Sequence, residues 1–144
     1  MKLLDIQEQW KKDAIIDRYK LTEESLRCPL LHSCYYEIYL NEKKLLNEHQ
    51  ERFKNFELAK SYYYSGKMDK EELIKRKWQA FNIHLLKGDI PKVIDGDDEI
   101  IDYKLKIMEQ VDKVEFVKSI LQSINQRSYI LRTAVDNTKF EAGA

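Results

Sequence analysis

Apolar positions recur at helical spacing along most of this chain. In residues 3–17, Leu3, Ile6, Trp10 and Ala14 fall three or four apart with Lys11 and Lys12 on the other side, which predicts a short amphipathic helix. Residues 18–27 read as a connector. Cys28-Pro29 then marks a helix start, because proline at the first helical position loses nothing by lacking an N–H. No further glycine or proline intervenes up to Tyr64. Leu31, Cys34 or Tyr35, Ile38, Leu45, Phe56, Ala59 and Tyr63 lie on or near one stripe, interrupted by Glu42, His49 and Arg52. A helix that long needs partners along its length.

Gly66 stops the helix, as glycine just past a helix end commonly does. Asp69 with Glu72 reads as the capping box of a short helix reaching about Lys77. Residues 78–96 lose helical periodicity. Gly88, Pro91 and Gly96 lie inside, and the alternation of Phe81, Ile83 and Leu85 predicts irregular chain with a short strand or two. Asp97 then caps a last helix whose first turn holds Asp98 and Glu99, at the positive end of its dipole.

That last helix carries heptads. With Ile100 at position a, the a series is Ile100, Ile107, Val114, Leu121, Ser128 and Val135, and the d series is Tyr103, Gln110, Val117, Ile124 and Leu131. All but Ser128 and Gln110 are apolar, which favours a coiled coil. Ile101, Leu105, Met108, Phe116 and Ile120 widen the stripe, so the helix touches more than one neighbour. Self-assembly is favoured over packing on the chain's own long helix. The expected fold is all-α, with long helices and a C-terminal coiled-coil-like helix. Residues 1–96 form an N-terminal helical binding region, and 97–144 an oligomerisation helix.

Composition agrees with long helices: in 144 residues there are four glycines and two prolines, little material for turns. The charged fraction is 35%, against about 25% in an average globular protein, so much of the surface is solvated. A net charge of zero hides a separation. From Arg52 to Lys77 eight Lys/Arg stand against four acids, while from Asp89 to Glu115 nine acids stand against four lysines. The basic segment suits a polyanion, and the acidic segment a basic partner or a second copy. Two cysteines, Cys28 and Cys34, an N-terminus charged by Asp5 and the lack of a membrane-length apolar run lead us to expect a soluble, reduced, intracellular protein.

No catalytic constellation emerges. Cys28, His32 and Cys34 lie close together, but His49 and His84 are too scattered to complete a zinc site. Asp95-Gly96-Asp97-Asp98-Glu99 lacks the order of a calcium loop. Asp102 and Lys104, with Asp89 or Asp95 upstream, suggest a metal-dependent nuclease only if a strand holds them, and they fall in the heptad helix. Neither enzymatic activity, metal nor cofactor is expected.

Binding has better support. Arg52, Lys54, Lys60, Lys67 and the Lys75-Arg76-Lys77 triplet bracket Tyr62-Tyr63-Tyr64. Cations that track phosphates beside rings that accept bases suit single-stranded nucleic acid. Three adjacent tyrosines on a helix cannot all face a core, so at least one ring is expected in solvent.

Leu4-Asp5-Ile6-Gln7-Glu8, Lys11-Lys12-Asp13, Ile16-Asp17, the Tyr63-Tyr64-Ser65-Gly66 break and the terminal Phe140-Glu141-Ala142-Gly143 together resemble the UvsY family, recombination mediators of T4-like bacteriophages. The likeness spans essentially the whole chain and is weakest over 67–96. It implies a non-catalytic protein of the infected host's cytoplasm that binds single-stranded DNA and loads a RecA-like phage recombinase onto DNA covered by a single-strand-binding protein. It also implies a ring-like or helical-barrel homo-oligomer, of the hexamer or heptamer class, assembled through the C-terminal helix. The family's basic DNA-contacting positions just before the Tyr-Tyr-Ser-Gly signature correspond here to Lys60 and to Leu58, which departs from the pattern. The combined reading puts Lys60, Lys54, Arg52 and Lys67 on phosphates, Tyr62 or Tyr64 against bases, and Tyr63 in packing. The rival reading is a structural coiled-coil scaffold without DNA binding.

Overall fold

The computed structural model describes residues 1–143. Among these residues five helices follow one another: α1 (Leu3–Asp13), α2 (Leu21–Tyr64), α3 (Lys70–Arg76), α4 (Ile90–Asp95) and α5 (Asp98–Glu141). Among the described residues there is no strand, so the expected strand in 78–96 is replaced by irregular chain and the short α4, with Pro91 in its first turn. The all-α class is as expected.

The start of α2 differs from the expected one. It begins at Leu21, which leaves Pro29 inside the helix. The Asp17 carboxylate accepts from the Tyr19 N–H (3.0 Å) and its carbonyl from the Lys20 N–H (3.1 Å), closing a tight turn that launches the helix. Glu23 and Glu24 then sit in the first turn, where the helix dipole favours them. An interior proline costs about 3 kcal/mol. The helix tolerates it because both sides are anchored: Arg27 Nη2 donates to the Asp13 carbonyl (3.1 Å), and Leu31 and Tyr35 are buried.

The other ends are as read. Gly66 takes φ +75°, and Asp69 Oδ1 accepts from the Glu72 N–H at 2.8 Å. The Glu72 carboxylate accepts from Arg76 Nε, also at 2.8 Å. Asp97 Oδ1 caps α5 by accepting from the Ile100 N–H at 3.0 Å.

The chain divides into two compact units. One unit comprises residues 1–44 and 111–144, of which the last is not described; the other comprises residues 45–110. In the first, Ile6 of α1, Leu31 and Tyr35 of α2, and Val117, Ile120, Leu121 and Ile124 of α5 form the core, with Trp10, Ile38, Tyr39 and Phe116 against it. The stripe expected to join separate chains is thus spent largely within this one. Val114, Val117, Leu121, Ile124 and Leu131 are buried here, as Ile100 is in the second unit, while Tyr103, Ile107 and Val135 keep part of their surface. Glu42, which interrupts the α2 stripe, is a buried carboxylate paired with the N-terminal amine (3.3 Å) and Lys113 (3.4 Å).

Candidate nucleic-acid interface

The unit 45–110 holds every residue expected to touch DNA. Successive residues of α2 point about 100° apart, and the structure sorts the three tyrosines accordingly. Tyr63 and Tyr64 turn inward. Tyr63 packs between Trp78 and Phe81, with ring centroids 5.1 and 5.6 Å away, and its hydroxyl donates to the Gln79 carbonyl (2.6 Å). Tyr64 meets Phe81 edge-on at 5.0 Å, and its hydroxyl donates to Asp97 Oδ2 (2.5 Å). Burial, with the Asp97 bond and charge, pushes the Tyr64 hydroxyl pKa well up. Tyr62 alone of the three is exposed, at 49%.

Lys60 lies inside. The residue is 3% exposed, and its ammonium stands 3.0 Å from Asp97 and 3.3 Å from Glu99 at the start of α5. Aromatic rings enclose it, with Trp78 closest at 4.1 Å and Phe56, Tyr63 and Tyr64 behind. Burial pushes the Asp97 carboxyl pKa up. Hydrogen bonds from Tyr64, Lys60 and the Ile100 N–H, together with the Lys60 charge, outweigh it and hold the group below its usual value. A cation so enclosed does not reach a phosphate in solvent. Lys60 and Tyr64, expected at the DNA surface, are held inside because the α5 N-terminus offers carboxylates that an apolar pocket strengthens.

The outward strip of α2 runs Lys54, Leu58, Tyr62, on the side roughly opposite Phe53, Phe56 and Lys60. Leu58, where the resemblance expects a base, is 54% exposed. Grooves flank the strip. One, of about 470 Å³, is walled by Met68, Glu72 and Arg76; another, of about 650 Å³, is walled by His84, Leu86, Lys87 and Pro91. Tyr62 and Lys67 border both. Lys54 pairs with Glu51 (3.0 Å) at the solvated end, while Lys67 and Lys87 have no salt bridge among the described residues. Arg52, also exposed, points about 160° around α2 from Lys54, so the structure does not bring it to this strip. Lys87 and His84 were missed because they lie in chain without periodicity, and Trp78 because nothing in sequence marks a ring as a lid over a lysine.

Among the described residues no group of His, Cys, Asp and Glu is placed to hold a metal ion. Asp102 and Lys104 sit on a helix, and Lys104 pairs with Asp95 at 3.6 Å. Among the described residues no helix is long and apolar enough to cross a membrane.

Comparison with known proteins places the chain. The family described as "Recombination, repair and ssDNA binding protein UvsY" matches residues 9–144. The recombination protein uvsY of Enterobacteria phage T4 is 26% identical over 143 residues, which is 99% of each chain. A crystal structure of the bacteriophage T4 recombination mediator protein UvsY superposes with a TM-score of 0.83 at 25% identity, covering 99% of this chain and 98% of that one. Another lattice form gives 0.80 at 23% identity over 98% and 99%. With the family's pattern running from α1 to the end of α5 and its helical fold reproduced over nearly every residue, the chain belongs to the UvsY family of phage recombination, repair and single-stranded-DNA-binding proteins.

Proposed function

We propose that this protein is a recombination mediator that holds single-stranded DNA along the Lys54–Leu58–Tyr62–Lys67 strip and promotes loading of a RecA-like phage recombinase onto DNA covered by a single-strand-binding protein, in the cytoplasm of the infected host. The observation that carries the reading is Tyr62: an exposed ring, bordered by grooves on both sides and accompanied by Lys67 and Lys87, which have no salt bridge among the described residues. A ring accepts any base, and the lysines take the backbone, so the site is tolerant of sequence. Arg52 extends the basic surface around α2. Lys60 and Tyr64 support the site from inside by fixing the end of α2 to the start of α5. No chemical step is assigned to the protein.

Self-association as a ring-like homo-oligomer belongs to the same reading, because many weak sites engaged on one strand bind far more tightly than one. With most heptad positions filled internally, the surface for it moves to the far end of α5. There Tyr129 (69%), Ile130 (52%) and Phe140 (82%) are exposed beside the half-buried Val135.

Titration of a fluorescent oligonucleotide at several salt concentrations tests the strand site. Tyr62→Ala is expected to cost about 1–3 kcal/mol per stacked base. Lys67→Ala and Lys87→Ala should each reduce the salt slope by about 0.7. A wild-type protein with no single-strand affinity at physiological salt would favour the coiled-coil scaffold. Leu58→Lys should act in the other direction, steepening the slope by about 0.7, since the new ammonium stands on the exposed strip between Lys54 and Tyr62.

A further inference from the structure

Within the unit 45–110, α5 turns Ile100, Tyr103 and Ile107 toward α2, where Phe53 and Phe56 stack on Tyr103 at 5.4 and 5.5 Å. Its outward side is composed differently. Ile101, Leu105 and Met108 are exposed at 40, 52 and 60%, and their spacing of four and three residues makes one continuous stripe. Asp98, Asp102 and Glu109, also exposed, run along one edge of that stripe, and none has a salt bridge among the described residues. Lys104, on the other edge, is paired with Asp95. At the Met108 end the stripe borders a groove shared with Gln50, Glu51, Phe53 and Lys54 of α2.

We infer that the outward face of α5 over 98–109 is a docking surface for a basic amphipathic helix of another protein. The apolar stripe has the spacing by which one helix seats on another. The row of unpaired carboxylates selects a partner with lysines or arginines beside its own apolar positions, and it repels nucleic acid and anionic membrane. The position on the unit adds a consequence. α5 lies on the Phe53, Phe56 and Lys60 side of α2, away from Leu58 and Tyr62, and this face approaches the strip at its Met108 end, in a groove shared with Lys54. A strand on one side therefore leaves the other free, and the protein can hold DNA and a basic protein segment together. That simultaneity rests on the strand reading above, whereas the docking surface does not.

The test uses the full chain and three synthetic helical peptides. The first carries leucines at positions one, five and eight flanked by lysines, the second replaces the lysines with glutamates, and the third keeps the lysines but scrambles the leucines. By fluorescence anisotropy the first should bind at least about tenfold more tightly than either other, since both the stripe and the charges are needed. Asp98→Lys/Asp102→Lys/Glu109→Lys should reverse the preference between the first two peptides, and Leu105→Ser/Met108→Ser should abolish binding of the first. Sedimentation should be unchanged in both variants. With oligonucleotide pre-bound, the first peptide should still bind with equal affinity. Equal affinity for all three peptides, or lysine-peptide binding that survives the charge reversal, overturns the proposal. Loss of self-association in the variants would make the face a contact between copies and would overturn it too. Competition between peptide and oligonucleotide, with the peptide preference intact, would sink only the simultaneity.

Discussion

Lys60→Met should destabilise the protein by about 3–5 kcal/mol, because it removes one partner of a buried ion pair and leaves the other charge uncompensated. Methionine fills the space of the side chain and preserves contact with Trp78. The loss is then electrostatic: Asp97 keeps the Tyr64 hydroxyl and the Ile100 N–H but loses the ammonium at 3.0 Å. A fall in melting temperature of roughly 10 °C is expected. The pH dependence supplies a second readout. In the wild type the folded Asp97 carboxyl titrates below its unfolded value, so its contribution is full above about pH 4 and is lost as pH falls through the folded pKa. Without the Lys60 charge and hydrogen bond the folded pKa rises, and acid unfolding begins at higher pH. The salt slope of oligonucleotide binding should not change. A slope reduced by about 0.7 with an unaltered melting temperature would put Lys60 back on a phosphate.

Arg127→Met should cost a similar amount, about 3–5 kcal/mol, in the other unit. Arg127 is 3% exposed; its Nη2 donates to the Asp13 carbonyl, Nη1 lies 3.7 Å from Glu24 Oε2, and the guanidinium stands over Trp10. Arg27 donates to the same carbonyl, at the negative end of α1. Glu24 Oε2 and Arg127 Nη1 are buried without a hydrogen bond to each other, so the carbonyl bond and the Coulomb attraction carry the interaction. Arg127→Lys should therefore rescue little, because an ammonium cannot serve both the carbonyl and Glu24 in the planar geometry of the guanidinium. The double variant Glu24→Gln/Arg127→Met should lose less than the sum of the singles, as expected of groups that share a partner. Urea denaturation of the wild type, the three single variants and the double variant measures each value.

The helices were legible because their signals are local: Gly66, Asp69 and Asp97 end or cap an element through bonds to neighbours a few residues away. The start of α2 was misread because Pro29 looks like a first-turn residue, and the Asp17 turn with Glu23 and Glu24 was a weaker mark than the proline. The heptads of α5 were read correctly as a stripe, but a stripe does not state whose helix it meets. The burial of Lys60 was hidden for the same reason. Its second carboxylate, Glu99, lies 39 residues away, and a lysine preceding three tyrosines looks the same in sequence whether it faces a phosphate or Trp78. Tyr62 was partly legible, since helical geometry required at least one of the three rings to be exposed.

The unit built from residues 1–44 and 111–144 is joined from the two extremes of the chain, with the Arg127–Asp13 bond spanning 114 residues. During synthesis its first strip of core emerges long before the rest exists. Ile6, Leu31 and Tyr35 must wait in solvent until Val117 to Ile124 have left the ribosome, whereas the contiguous unit 45–110 has all of its own residues in hand earlier. Folding of the intervening unit would shorten the effective loop that the terminal segments have to close, and so lower its entropic cost. An order of assembly is thereby written into the connectivity: the contiguous middle part completes itself, and the two terminal segments meet last.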